Sequence, residues 1–194
     1  MKKSFVALLN VTFILSLVVV AENSDKIPDG WYPAGSNYNE YEMGIDRTIS
    51  QSGQACAYIK SKKSNTDGFG TLMQSISAEN YFGKRLQLSG YIKSENVEGW
   101  SGMWMRIDAE SNESLGFDNM QDRAIQGTTD WNKYEIVLDV PLNSNTILFG
   151  VLLGGDGKVW FDNFELKEVD KNVPITDIRE RGDRSTEPKN LDFE

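Results

Sequence analysis

The chain predicts an antiparallel all-β sandwich, and three observations carry the prediction. Apolar residues recur at every second position over segments of strand length. Between these segments stand turn-forming residues, with no helical stretch long enough to serve as a crossover, so no βαβ rhythm develops. Aromatic residues make up 11% of the 194 positions, with five Trp, which supplies a core that a disordered acidic chain would lack. The length suits one domain with short extensions.

The elements follow in chain order. Lys2 and Lys3 precede an apolar stretch over residues 5–21, broken only by Asn10, Thr12 and Ser16. Val19-Val20-Ala21 then offers small residues to a signal peptidase, and a polar run begins at Glu22. This is the order of a secretory signal peptide over 1–21, and it predicts a secreted or periplasmic protein. The alternative is an uncleaved segment, which would then be the membrane attachment. The domain itself is expected over 22–169. Strands are expected over residues 41–46, 55–60, 69–76, 85–93, 100–108, 133–140, 146–153 and 158–169. Within 85–93, Leu86, Leu88, Gly90 and Ile92 share one face. Residues 146–153 are apolar on both faces, as in a central strand. Gly154-Gly155-Asp156-Gly157 lies between two apolar strands and reads as a hairpin turn. It is not a phosphate-binding loop, because Lys158 leads into a strand rather than a helix. Residues 77–82 read as a single helical turn. From Asp170 the chain turns polar and charged, with Pro174 and Pro188, so 170–189 reads as a linker or tail. Arg181-Gly182-Asp183 within it is a charged-loop run of a kind that arises by chance.

Composition excludes whole classes of chemistry. The chain has no His and one Cys, which removes Ser-His-Asp and Cys-His triads, His-ligated metals and internal disulfides. Acidic side chains outnumber basic ones 29 to 20, a net charge of -9 that repels nucleic acid, so no nucleic acid partner is expected. Cys56 stands among small apolar neighbours and reads as a buried thiol without a base to activate it.

With the strands in place, the chain resembles the galactose-binding-like jelly rolls shared by many non-catalytic carbohydrate-binding modules. Residues 78–93, the run Thr129-Asp130-Trp131-Asn132-Lys133-Tyr134-Glu135, and Val159-Trp160-Phe161-Asp162-Asn163-Phe164-Glu165-Leu166 carry the likeness. More narrowly, Trp104-Met105-Arg106-Ile107-Asp108, Phe117-Asp118-Asn119-Met120 and Gly127-Thr128-Thr129-Asp130-Trp131 resemble a bacterial accessory domain. That domain accompanies exported peptidase and esterase-like proteins and, in other chains, AraC-type regulators. One departure stands out. Such domains open on Asn-x-x-Phe-Glu before the Gly-Trp of the first loop, and Gly30-Trp31 lacks it, whereas the chain ends Asn190-Leu191-Asp192-Phe193-Glu194. Residues 190–194 either begin a truncated repeat or linker, or fold back as an added edge strand. The resemblance also implies a structural calcium ion, with Asp162 and Glu194 at the corresponding positions.

The 100–108 segment is the richest in chemistry. Alternation puts Trp100, Trp104, Arg106 and Asp108 on one face, opposite Met103, Met105 and Ile107. An aromatic stacks on a pyranose ring while Arg and Asp hydrogen-bond its hydroxyls. Asp118, Asn119, Asp122 and Arg123 would extend such a site. The alternative is a packed face in which Arg106 pairs with Asp108 or Asp118. Trp31 and Tyr32 open a loop with Asn37, Tyr38 and Asn39 that suits a binding rim, unless Trp31 packs under the sandwich edge. A glycosidase would need two carboxylates, and nothing selects a pair among Glu98, Asp108, Glu110, Glu113, Asp118 and Asp122, so an enzyme is not expected. The sequence therefore favours an exported non-catalytic module that binds carbohydrate. The alternative is a protein-interaction or structural domain whose partner is an envelope or extracellular protein. An effector-sensing domain of a transcription regulator is opposed by the leader and the charge.

The leader reading is checked by N-terminal sequencing of protein recovered from outside the cytoplasm. Cleavage after Ala21 gives Glu22 as the first residue; recovery of an intact Met1 terminus in the membrane fraction contradicts it.

Overall fold

The computed structural model describes residues 27–178. The leader, the Arg181-Gly182-Asp183 run and residues 190–194 lie outside the described residues. Nine strands follow in order: β1 (Tyr32–Ala34), β2 (Tyr41–Asp46), β3 (Cys56–Ser61), β4 (Phe69–Ser77), β5 (Arg85–Ala109), β6 (Ser114–Asp118), β7 (Ile125–Asp139), β8 (Ser144–Gly154) and β9 (Lys158–Val169). Every pairing is antiparallel. The architecture is the expected antiparallel jelly-roll sandwich.

One strand belongs to both layers. β5 runs for 25 residues. Its first part lies between β7 and β9, with Leu88 opposite both Ile136 and Leu166. Its last part lies between β8 and β6, with Arg106 opposite Leu148 and Phe117. Between them the β5–β7 register shifts at Ile92/Ser94, Ser94/Val97 and Val97/Ser101. Such irregularities bend a strand and turn it out of its sheet. One layer is thus β1-β4-β8-β5-β6, and the other is β7-β5-β9-β3-β2. Segments 85–93 and 100–108, read from sequence as two strands, are one continuous strand, because the polar stretch between them stays hydrogen-bonded across its bulges.

Alternation delivers the core. Met103, Met105 and Ile107 of β5 and Ile147, Val151 and Leu153 of β8 are sealed from one layer. Leu86, Leu88 and Ile92 of β5 with Ile136 and Leu138 of β7 meet them from the other. Each such side chain contributes roughly 1.5–3 kcal/mol on burial. Trp31 joins this core against Phe149, Phe161 and Phe164, at ring centroid distances of 6.1, 5.8 and 5.7 Å. It is therefore a packing residue rather than part of a rim.

Three expectations need correction. Gly154–Gly157 is not a hairpin turn, because β8 and β9 do not pair. Both sides of β8 are occupied by β4 and β5, so the turn carries the chain across to the other layer. Asp156 fixes it by accepting the backbone N–H groups of Asn65 and Thr66 at 2.6 and 2.9 Å. β1 and β6, with three and five residues, are too short to show alternation and were not expected. The start of the supposed linker, residues 170–178, lies against the sandwich. Arg85 Nη1 donates to the carbonyls of Lys171 and Val173, both at 2.6 Å. Thr176 N donates to Val137 O at 2.8 Å, and Ile178 N to Phe117 O at 3.0 Å. The segment thereby straps the free edge of β7 in one layer to that of β6 in the other.

Asp139 anchors this strap. Hydrogen bonds from Arg85 lower its carboxyl, against an opposing push from burial, and Lys171 adds to them; the result is about 2, against an ordinary 3.8. A depressed carboxyl stabilises the fold above its unfolded value and loses that contribution as pH falls through its folded one. The strap should therefore hold at pH 4 and loosen toward pH 2. Carbon-detected NMR should give an Asp139 midpoint near 2 in the native protein and a higher one in Arg85→Gln. An identical, ordinary midpoint in both proteins would contradict the anchoring role.

Candidate functional site

The outward face of the β1-β4-β8-β5-β6 layer carries a groove of about 640 Å³. Its existence follows from β8 being apolar on both faces. Ile147, Val151 and Leu153 go to the core, while Leu148 and Leu152 face outward. There they meet Met73 of β4 and Trp104 of β5 in a separate apolar cluster, with Trp100 and Phe117 packed on it. Trp104 and Leu152 are buried and form the floor. Tyr32 and Phe69, 40% and 39% exposed, stand at the rim. Trp104 sits opposite Gly150, where a Cβ would stand 2.3 Å from Leu72 O of β4. Its Nε1 donates to Thr71 Oγ1 at 2.8 Å, and that hydroxyl donates to Val151 O at 2.7 Å. The indole is thereby locked flat in the floor.

Of the seven residues the sequence singled out for binding, Trp100, Trp104, Arg106 and Asn119 line the groove. Arg106 reaches it while Nε and Nη2 donate to one oxygen of Asp108, at 3.0 and 2.7 Å. Asp108 is buried, and its other oxygen has no hydrogen-bond partner. The ion-pair reading holds and leaves Arg106 on the groove: Asp108 orients Arg106 rather than facing the groove itself. Asp118 and Arg123 are not groove residues. Asp118 is fully buried, accepts Arg123 Nη2 at 2.7 Å and the Met120 N–H at 2.8 Å, and does not pair with Arg106. Together they hold the turn after β6 that presents Asn119. That turn places Met120 at φ 61, a left-handed conformation for a residue whose side chain is buried in the core. Gly102 lets the turn lie close, since a Cβ there would stand 2.9 Å from Asn119 O.

The sequence missed the apolar lining, namely Phe69, Met73, Phe117, Leu148 and Leu152. Only the two-faced hydrophobicity of 146–153 signalled any of it, and that pattern equally describes a strand covered on both sides.

Other candidates fall elsewhere. Asp162 accepts backbone N–H groups of Gln51 and Ser52 on one oxygen, at 2.9 and 3.0 Å, and of Asn163 on the other at 2.7 Å. A carboxylate committed to three donors does not fit a calcium ligand, Glu194 is outside the described residues, and no cluster of three or more metal-binding side chains occurs among the described residues. Among the described residues no carboxylate lines the groove, and none of Glu98, Asp108, Glu110, Glu113, Asp118 and Asp122 is placed there. The opposite layer's outer face has its own cluster. Lys158 Nζ lies 4.7 Å from the centre of the Tyr58 ring and 4.3 Å from that of Trp160, and Trp160 Nε1 donates to Asp46 at 2.8 Å. Burial of Asp46 acts to raise its carboxyl, but hydrogen bonds from Thr48, Trp160 and Lys158 hold it well below the usual range. Cys56 belongs to this cluster rather than to the main core, and burial, aided by Asp46 and Asp162, pushes its thiol up to about 12. It is buried, as expected, and its Sγ donates to Ile49 O at 3.2 Å. Among the described residues no helix is long and apolar enough to cross a membrane.

No family model matches the chain. Over 171 residues, 88% of its length, it is 47% identical to an uncharacterized HTH-type transcriptional regulator, YbfP, of Bacillus subtilis (strain 168). The chain spans 58% of that relative's length. Among solved structures it is similar to the CBM22-1 xylan-binding domain of Paenibacillus barcinonensis Xyn10C. The TM-score is 0.54 at 15% identity, covering 75% of this chain and 90% of that one. It is also similar to the Stig cyclase Fisc of Fischerella sp. TAU, with a TM-score of 0.54 at 16% identity, covering 75% and 88%. At these identities the structures show a shared fold.

Arg106→Ala leaves Asp108 buried without its cation. The expected cost is about 2 kcal/mol, held below that of a fully buried pair by the exposure of the guanidinium. Urea unfolding of Arg106→Ala, Asp108→Ala and the double variant tests it. The double variant should be less destabilised than the sum of the singles; strict additivity would deny the pairing.

Proposed function

We propose that this chain is a non-catalytic ligand-binding module, exported through its leader, that takes a saccharide in the groove above Trp104. The carrying observation is the groove itself: an aromatic and apolar floor with the oriented guanidinium of Arg106 and the amide of Asn119 at its margin. Rings stack on such a floor, and charge-assisted donors fix hydroxyls beside it. The fold similarity supports the reading, since one neighbour is named a xylan-binding domain. The absence of a lining carboxylate supports binding over cleavage.

A second reading draws on the regulator relative, 47% identical across most of this chain. In it the same groove senses a small effector for a longer protein. The net charge of -9 speaks against DNA contact by these residues themselves. The two readings differ in ligand size. Affinity that grows from disaccharide to hexasaccharide favours a polymer-binding module, whereas affinity that saturates at a disaccharide favours a sensor.

Tryptophan fluorescence and calorimetry against xylan, galactan and glucan oligosaccharides test the proposal. Saturable binding, weakened about tenfold or more in Arg106→Gln, is the expected result. A folded protein that binds none of them moves the groove to a protein partner and overturns the saccharide reading.

A further inference from the structure

The groove is lined mainly by apolar surface, and its unpaired side-chain polar atoms are few, with Tyr32 Oη and Trp100 Nε1 among them, so a bare sugar chain should bind there more weakly than one carrying an apolar group. Thr71 Oγ1 is committed to Trp104 Nε1 and Val151 O. The Asn119 amide is turned on Gln121, accepting its N–H at 3.2 Å and donating to Oε1 at 3.4 Å. Arg106 commits two of its three nitrogens to Asp108, and Nη1 is the one that makes no hydrogen bond to a described residue. A pyranose carries a hydroxyl on most ring carbons, and each one taken from water without a partner carries a desolvation cost. A saccharide lying over Met73, Trp104, Leu148 and Leu152 would leave the hydroxyls on that side without partners. An apolar group covers the same surface favourably.

The charge of the ligand follows from the same contacts. Among the described residues Arg106 is the one charged residue lining the groove, and Asp108 balances it. Asp108 depends on that guanidinium, because its second oxygen is buried without a partner. An anion bound at Arg106 would compete with a buried carboxylate for one cation in an apolar setting.

Resting on the reading that the groove takes a saccharide, the geometry points to a narrower ligand. It is a neutral glycoside whose aryl or alkyl aglycone lies over Trp104, Leu148 and Leu152, with the sugar at the Arg106 and Asn119 margin. The groove selects for the apolar substituent and against charge.

Calorimetry on the full chain tests this with glucose, galactose and xylose, each as free sugar, methyl, n-hexyl and phenyl glycoside. Phenyl glucuronide and phenol serve as the charged and sugar-free counterparts. For at least one sugar, the hexyl or phenyl glycoside should bind about tenfold or more tightly than the methyl glycoside. Leu148→Asn should abolish that gain, with circular dichroism checking that the variant remains folded. Phe69→Ala, at the exposed rim, is a second variant that does not touch the core, and it should reduce the gain. Equal affinity for methyl and phenyl glycosides overturns the inference and leaves the saccharide reading standing. No binding by any sugar or glycoside overturns both. A gain that survives both variants places the apolar group outside the groove and overturns the inference. Phenyl glucuronide binding as tightly as phenyl glucoside overturns the neutral selection, and phenol binding as tightly overturns the need for a sugar.

Discussion

The rest of the structure depends on the continuity of β5. By pairing with β7 and β9 along its first part and with β8 and β6 along its last, it is hydrogen-bonded in both layers. A strand cannot lie flat in two stacked sheets, so it must bend between them, and the bulged stretch from Ile92 to Ser101 is where it does. The bend fixes how the layers face one another. It also sets which side chains of residues 100–108 enter the core, because side-chain direction has a period of two and one residue of slip would invert it. Met103, Met105 and Ile107 are sealed inside for this reason, and Trp100, Trp104 and Arg106 emerge on the outer face.

The groove is a consequence of that inversion-proof register. Trp104 lies opposite Gly150 and packs in one cluster with Met73 and Leu152. Its one polar atom is spent on Thr71, so the floor presents little beyond apolar surface. Polar character is confined to the margin and is itself held by buried partners. Asp108 fixes Arg106, and the Asp118–Arg123 pair holds the left-handed turn that carries Asn119. Charged residues here act as supports for a few presented groups, a division of labour that keeps the groove surface nearly neutral on a chain of net charge -9.

Legibility from sequence varied with the range of the interaction. Strand 158–169 and strand 41–46 were readable to their ends, because alternation and turn residues are local signals. The face occupied by Trp104 and Arg106 was readable for the same reason. Asp118 and Arg123 stand close in the chain to that face, yet β6 pairs Asp118 with inward-facing Met105, so its carboxylate enters the interior, where Arg123 meets it. Gly154–Gly157 announced a turn correctly, but turn chemistry does not name the strand on the far side.

By itself the sequence determined the fold class, the two faces of residues 85–93 and 100–108, and a composition with no His and one Cys. These depend on residue type and a period of two, both of which are written along the chain. Tertiary structure alone decided that 85–109 is one strand shared by two layers, that Leu148, Leu152 and Met73 form a groove floor, and that 170–178 straps two edges together. Each of those joins residues far apart in sequence through strand order and register, and strand order is settled by which edges are already occupied when the layers close.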